Sequence, residues 1–147
     1  MDIRQLTAGT TLALPVLVPG ALFSVGDVHA AQGDGELAGT AIEMDATVTL
    51  RFNLIKGQTV STPQFWTGPT SQTEGGWFAT TGHHADLREA AREAVRGILT
   101  YLQEQYGLEP AQGCLLASAC VDLRISQVVN GGIYTVSAFL PLAIFDA

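Results

Sequence analysis

The stretch GDVHAAQGDGE at positions 26–36 gathers the side chains of this chain best suited to chemistry. Asp27 and His29 are two apart, a spacing that puts both on one face of a strand. Gln32, Asp34 and Glu36 follow, separated by Gly33 and Gly35. Glycines permit a tight turn, so Glu36 can fold back beside His29. A carboxylate, an imidazole and a second carboxylate meeting at one point suit a divalent cation such as zinc. The next strand brings Glu43 and Asp45 on its polar face, beside the same point. A solvated acidic hairpin would have the same composition, and spacing alone leaves both readings open.

These residues must be positioned by the elements around them. Residues 42–52 alternate cleanly, with Ile42, Met44, Ala46, Val48, Leu50 and Phe52 on one face and Glu43, Asp45, Thr47, Thr49 and Arg51 on the other. Period two over that length predicts a half-buried strand of an antiparallel sheet. Lys56-Gly57-Gln58 then turns the chain, and 59–66 returns as its partner strand. Gly68-Pro69 and Gly75-Gly76 bracket a polar loop before a short strand at 77–80. From Asp86 the period changes. Asp86 is placed as N-cap with Glu89 as capping-box partner, and Leu87, Ala90, Ala91, Ala94, Val95, Ile98, Tyr101 and Leu102 recur at helical spacing until Gly107. Pro110 suits the first turn of a second helix through Cys120. Asn130-Gly131-Gly132 makes a turn, and 134–140 returns to a strand closed by Pro141. The fold class expected is α+β, in one domain over 1–147: β-sandwich-like antiparallel sheets in a β-rich part, 1–81, then two helices packed on strands in 82–147.

Composition narrows the function. Charged residues are 14% and apolar ones 47% of 147 residues, a globular balance. A formal charge of −7 argues against a nucleic-acid partner and against an anionic membrane surface. Cys114 and Cys120, six apart on a helix, lie about 9 Å apart, beyond the reach of a disulfide. Two free thiols in an apolar stretch point to core packing in a reducing compartment, the cytoplasm. The apolar run 12–25 behind Arg4, with Val28-His29-Ala30 after it, shares features with a secretory leader. Pro15, Pro19 and Gly20 interrupt it, and Asp2 offsets Arg4, so a buried strand, a turn at Pro19-Gly20 and a second strand are expected instead.

Several blocks carry a resemblance. LPVLVPGALFSVGDVHAAQGDGELAGTAIE (14–43), FATTGHHADLREAAREAVRGILTYL (78–102), VDLRISQVV (121–129) and SAFLPLAIF (137–145) are similar, in order, to blocks of the acetamidase/formamidase family. The turn at Asn130-Gly131-Gly132 departs from the family's usual one. The resemblance implies hydrolysis of short aliphatic amides, formamide or acetamide, to ammonia and a carboxylate. Family members are about twice as long, so the resemblance matches their C-terminal half. It implies a small-molecule amide substrate, and either homo-oligomers or association with an N-terminal half.

The residues themselves support a mechanism by exclusion. The chain has one lysine, Lys56, at a strand end beside a turn, badly placed for a Ser-Ser-Lys or a Glu-Lys-Cys set. The cysteines fall in an apolar helix, poor surroundings for a thiolate, and no GxSxG elbow occurs. A metal-activated water remains as nucleophile. Asp27 and His29 are the expected ligands, with Glu36 as third ligand or base. Glu43 follows for either task, and Asp34 is a further carboxylate for the proton step. Gln32 and His83 are candidate substrate contacts, although His83-His84 also fits a plain loop before a helix. Asp122 and Arg124 are spaced for an ion pair or for anchoring the helix to the sheet. Trp66, Trp77 and Phe78 suit either a small apolar pocket or the core. The rival readings are a lactam hydrolase using the same site, and a catalytically silent half that binds a metal or a partner.

Overall fold

The computed structural model describes residues 1–58, 60–69 and 75–145. In chain order the elements are β1 (Thr11–Ala13), β2 (His29–Ala31), β3 (Ile42–Glu43), β4 (Gln64–Trp66), β5 (Trp77–His84), α1 (Leu87–Tyr106), α2 (Pro110–Cys120), β6 (Asp122–Asn130) and β7 (Ile133–Pro141), ending in a 3-10 turn, Leu142–Phe145. The class is α+β, as the sequence leads one to expect.

Helix α1 begins where the Asp86 carboxylate accepts from the Arg88 and Glu89 backbone N–H groups at 2.8 and 3.0 Å, satisfying donors with no partner inside the helix. The capping box expected from Glu89 does not form: the Asp86 N–H donates to His84 Nδ1 instead, and the Glu89 carboxylate pairs with Arg92. Gly107, at φ 66°, ends the helix in the left-handed conformation that glycine adopts without strain. Helix α2 starts with Pro110 in its first turn, and Glu109 and Gln112 cap it reciprocally.

Five strands lie side by side in the order β1-β4-β5-β7-β6, antiparallel throughout. Strands from both halves of the sequence share this sheet. Ala90, Ala94, Ile98 and Leu102, four apart along α1, pack on Phe78, Val136, Ala138 and Leu140 of β5 and β7. Each large apolar side chain so buried contributes about 1.5–3 kcal/mol. Helix and strand approach closely at Gly82, where a Cβ would lie 2.0 Å from the Ala90 carbonyl oxygen. The Thr80 hydroxyl donates to the Ala94 carbonyl at 2.6 Å across the same interface. The other sheet face buries Ile3, Phe65, Ala79 and Phe139, with Leu6, Leu12 and Trp77 against them.

The segments before β4 differ most from expectation. Only Ile42–Glu43 of the long strand expected over 42–52 is paired, and Met44, Val48, Leu50 and Phe52 stay exposed. Alternation marks a face that would gain from burial, but the described residues bring no sheet against it. The strand expected over 59–66 is Gln64–Trp66, and it pairs with β1 and β5 rather than with the preceding segment. Thr59 and most of the polar loop at 70–74 lie outside the described residues. Of the buried strand, turn and strand expected over 12–25, β1 and the turn are present. Beyond β1 the backbone is irregular, with Leu17, Leu22, Phe23 and Val25 exposed. Pro15 and Pro19 have no N–H to give to a ladder.

Two smaller corrections concern the second half. Strand β5 runs on to His84 because β7 pairs with it along its whole length, so His83 and His84 are strand residues and not a loop. Cys114 is exposed, while Cys120 is half-buried with its thiol donating to the Leu116 carbonyl. Phe78 is core and stacks on Tyr101, while Trp66 and Trp77 are half-buried against the two clusters, Trp77 meeting Phe139 edge to face. Among the described residues, no helix is long and apolar enough to cross a membrane.

Candidate metal centre

The site is a two-stranded ribbon tied to the outer strand of the large sheet. Strand β2 pairs with β3 so that His29 stands opposite Glu43, and the Met44 N–H extends the ribbon to the Val28 carbonyl. Between the two strands the chain turns through Gly35 (φ 91°) and Glu36 (φ 47°), backbone conformations that glycine makes easy and glutamate rarely adopts. Gly35 is bound to β6 from both sides: its N–H donates to the Ser126 carbonyl and its carbonyl accepts from Val128 N–H. That bridge holds Glu36 inward.

Asp27, His29, Glu36 and Glu43 converge. His29 Nε2 lies 3.1 Å from Glu43 Oε2, 3.3 Å from Asp27 Oδ1 and 4.0 Å from Glu36 Oε1. Asp27 arrives there by a different route from the shared strand face. It precedes β2 with φ 60°, a left-handed residue that aims its carboxylate back at the imidazole. Glu36 does fold back beside His29, as the glycine turn suggests, and it is buried at 7% exposure.

The imidazole is oriented by Gln32. Gln32 Nε2 donates to the Asp2 carbonyl at 2.8 Å, which fixes the amide so that its oxygen faces His29 Nδ1, also at 2.8 Å. An amide oxygen only accepts, so the proton sits on Nδ1 and the Nε2 lone pair points at the carboxylates. Nε2 is buried, on a side chain 7% exposed, and has no hydrogen-bond partner. A lone pair facing carboxylates repels them unless a proton or a cation lies between. Nitrogen and carboxylate oxygens with the far ring nitrogen held by a side chain are a fitting donor set for a divalent cation. The same surroundings favour the protonated ring: the Gln32 hydrogen bond first, then the Glu43 and Asp27 charges, raise the His29 pKa against the opposing effect of burial. The Ala41 N–H and the Thr40 hydroxyl bind Glu43 Oε1 and, with His29, hold its carboxyl below the usual range.

The other candidates have other partners. Asp34 turns away to Arg124 of β6 at 3.1 Å, and Gln5 donates to its second oxygen. The partner of Arg124 is thus Asp34 rather than Asp122, and the guanidinium also covers the Phe139 ring. His83 stands opposite Thr135, which is itself opposite Gln127, with Nδ1 and Nε2 against the Thr135 and Thr81 hydroxyls and burial lowering its pKa. Asp45 lines an open depression with Asp27, Val28, Glu43 and Met44.

Two residues of the cluster gave no signal in the sequence. Asp2 brings a carboxylate within 4.8 Å of ligand atoms of Asp27 and Glu36. Gln127 of β6, 4% exposed, donates from Nε2 to Glu36 Oε2 at 2.6 Å and also to Asp2 Oδ2. Both stand roughly 90 or more positions away from a partner they touch, and no local pattern marks such pairs.

Known proteins share this arrangement of sequence and fold. The chain is 29% identical over 160 residues to the formamidase of Methylophilus methylotrophus, covering 99% of this chain and 39% of that protein. It superposes on the acetamidase of Bacillus halodurans with a TM-score of 0.85 at 34% identity, covering 99% of this chain and 46% of that one. For the acetamidase of Yersinia enterocolitica the TM-score is 0.89 at 32% identity, with 98% and 41% covered. The chain therefore spans about two fifths of the length of the curated relatives it matches. The model of the Acetamidase/Formamidase family matches residues 1–147, and the chain belongs to that family.

Proposed function

We propose that this chain carries the cation-binding and proton-transferring part of a centre that hydrolyses short aliphatic amides, formamide and acetamide, to ammonia and a carboxylate. The observation that carries this reading is the buried, unpartnered His29 Nε2 facing three carboxylates. The names of the relatives support the substrate class.

In this reading Asp27, His29 and Glu43 hold a divalent cation, zinc being suited to the mixed nitrogen and oxygen set. When bound, the cation brings the pKa of a water toward neutrality and polarises the amide carbonyl. Gln32 keeps the His29 proton on Nδ1 and so leaves Nε2 free to ligate. Glu43, its carboxylate held in its ionised form by the Ala41 N–H, the Thr40 hydroxyl and His29, suits a ligand. Glu36 is the proton carrier. It takes a proton as the water oxygen bonds to the carbonyl carbon, and returns it to nitrogen as the C–N bond breaks. Gln127 and the Gly35 bridge keep its carboxylate in place. Asp34, through Arg124, fastens the turn and does not touch the reacting atoms.

Ammonia release from formamide and acetamide tests this directly. Cation-dependent release is expected, falling by at least about 100-fold in His29→Ala and Glu36→Gln. Release that survives chelation would overturn the metal assignment, and opening of 2-pyrrolidinone to 4-aminobutyrate with no ammonia from the linear amides would move the substrate to lactams. A second reading is favoured by the exposed Leu17, Leu22, Phe52 and Leu54, whose apolar area suits cover by another polypeptide surface. There the chain works only within an assembly, with a second copy or with the remainder of a full-length relative. Bound zinc without ammonia release, with release restored on assembly, would mark that case.

A further inference from the structure

We propose that residues 44–52 pair antiparallel with the same segment of a second copy, with Asp45 of each chain against Arg51 of the other. Such a dimer goes beyond the hydrolytic reading of the His29 cluster and does not depend on it.

From Met44 to Lys56 the chain runs without turn or bend, and every residue from 42 to 58 is exposed. Strand β3 ends at Glu43, and the Met44 N–H makes the last bond of the ribbon. Residues 45–52 make no backbone hydrogen bond to another described residue. A strand-patterned segment with open N–H and C=O groups is a template for another strand. Met44, Val48, Leu50 and Phe52 recur at even positions and are all exposed, a face that gains from a neighbour.

The order of the residues selects that neighbour. Read outward from Val48, MDATVTLRF is complementary to its own reverse. With Val48 opposite Val48, Thr47 meets Thr49, Ala46 meets Leu50, Asp45 meets Arg51 and Met44 meets Phe52. Apolar, Thr–Thr and opposite-charge pairs are the cross-strand pairs that stabilise a sheet. A two-fold axis at Val48 makes each of them twice, as a symmetric dimer requires. Charge sets the register. Neither Asp45 nor Arg51 has an ion-pair or hydrogen-bond partner among the described residues. A slip of two residues one way would set Arg51 against Glu43, whose oxygens are engaged by Ala41, Thr40 and His29. A slip the other way would leave both charges facing neutral residues, Asn53 and Thr47.

The pairing also reaches the site. Asp45 lines the open depression that Asp27 and Glu43 share. Arg51 of the second copy therefore brings a guanidinium to the rim of that depression, where its own chain supplies only acidic charge.

Sedimentation equilibrium of the 147-residue chain should give twice its mass. Arg51→Asp sets like charges opposite each other twice per dimer and should raise the dissociation constant by at least about 10-fold, as should Asp45→Arg. Both substitutions in one chain should restore the dimer, because the charges are exchanged and still opposed. In a Cys114→Ser background, Val48→Cys should oxidise to a covalent dimer, since opposed residues of antiparallel strands stand about 4.5–5.5 Å apart, within disulfide reach. Thr47→Cys and Thr49→Cys, each facing a threonine, should not. Circular dichroism checks that each variant folds. A monomeric chain, a dimer that both charge reversals leave intact, or cross-linking at Thr47 or Thr49 in place of Val48 overturns the proposal. None of these measurements reads ammonia release or bound metal, so the hydrolytic reading stands or falls separately.

Discussion

Helix α1 with β5 and β7 is held by apolar contact, whereas the ribbon of β2 and β3 is held by polar ties to β6 and to Asp2. In the first region Ile98, Leu102, Phe78 and Leu140 are fully buried, and the backbone of Gly82 lies against that of Ala90. In the second, Gly35, Gln127, Arg124 and Gln32 supply the fastening, while Met44, Val48 and Phe52 remain uncovered. The difference separates two tasks. Packing decides whether the molecule folds, and directional hydrogen bonds decide where four side chains meet. A site that must bind a cation needs its ligands placed to a fraction of an ångström, which hydrogen bonds specify better than apolar contact does.

Gly82→Val should have the largest effect, and on the apolar body first. A Cβ there meets backbone atoms of α1 at 2.0 and 2.8 Å, and backbone cannot turn aside as a side chain can. We expect a loss of about 3 kcal/mol or more in urea unfolding, a large share of a typical domain's stability. Cation affinity should vanish with the fold. A ribbon that still bound metal after the sheet had melted would show the two regions to be independent.

Gln32→Met should have the opposite profile. It removes the acceptor that orients His29 but leaves the apolar body untouched. Loss of such a supporting partner costs about 10–100-fold in metal affinity. Calorimetric titration should show that loss with the melting temperature of the metal-free chain nearly unchanged. A large drop in melting temperature would mean that the ribbon also carries the stability of the body.

The smallest effect concerns pH. Burial holds the His83 imidazole below its ordinary value of 6.5, so between the two values the unfolded chain binds more protons than the folded one. The neutral ring's contribution is present above about pH 6.5 and is lost as pH falls through the lowered folded value. Thermal unfolding of the metal-free chain from pH 7.5 to 5 should show a modest decline that His83→Gln flattens. The ring is half-buried, so solvent screens much of the effect. A decline unchanged in that variant would remove His83 as its source, since His29, whose pKa is raised, acts in the opposite sense.

What could be read from the sequence was what is local. Asp86, Gly107, Pro110 and the Asn130-Gly131-Gly132 turn set their own boundaries, because caps and turns are made by neighbours in the chain. The return of Glu36 toward His29 was legible for the same reason, since two glycines lie between them. The extent of strand 42–52 was not, because alternation says which face seeks burial and not whether anything arrives to bury it. Nor was the destination of Asp34. Arg124 is 90 positions away, and its nearer candidate, Asp122, was the misleading one.

The parallel bridge between Gly35 and Gln127 has a consequence in time as well as in space. Asp34 meets Arg124, Glu36 meets Gln127 and Gln127 meets Asp2 across separations of 90, 91 and 125 residues. Closing such long loops is entropically costly and comes after short-range structure has formed. A growing chain that has not yet reached β6 can already set His29 opposite Glu43 across the ribbon, but it lacks the contacts that fasten Asp34 and Glu36. The ligands are encoded early in the chain and the full cluster is assembled late, once β6 holds the Gly35 turn.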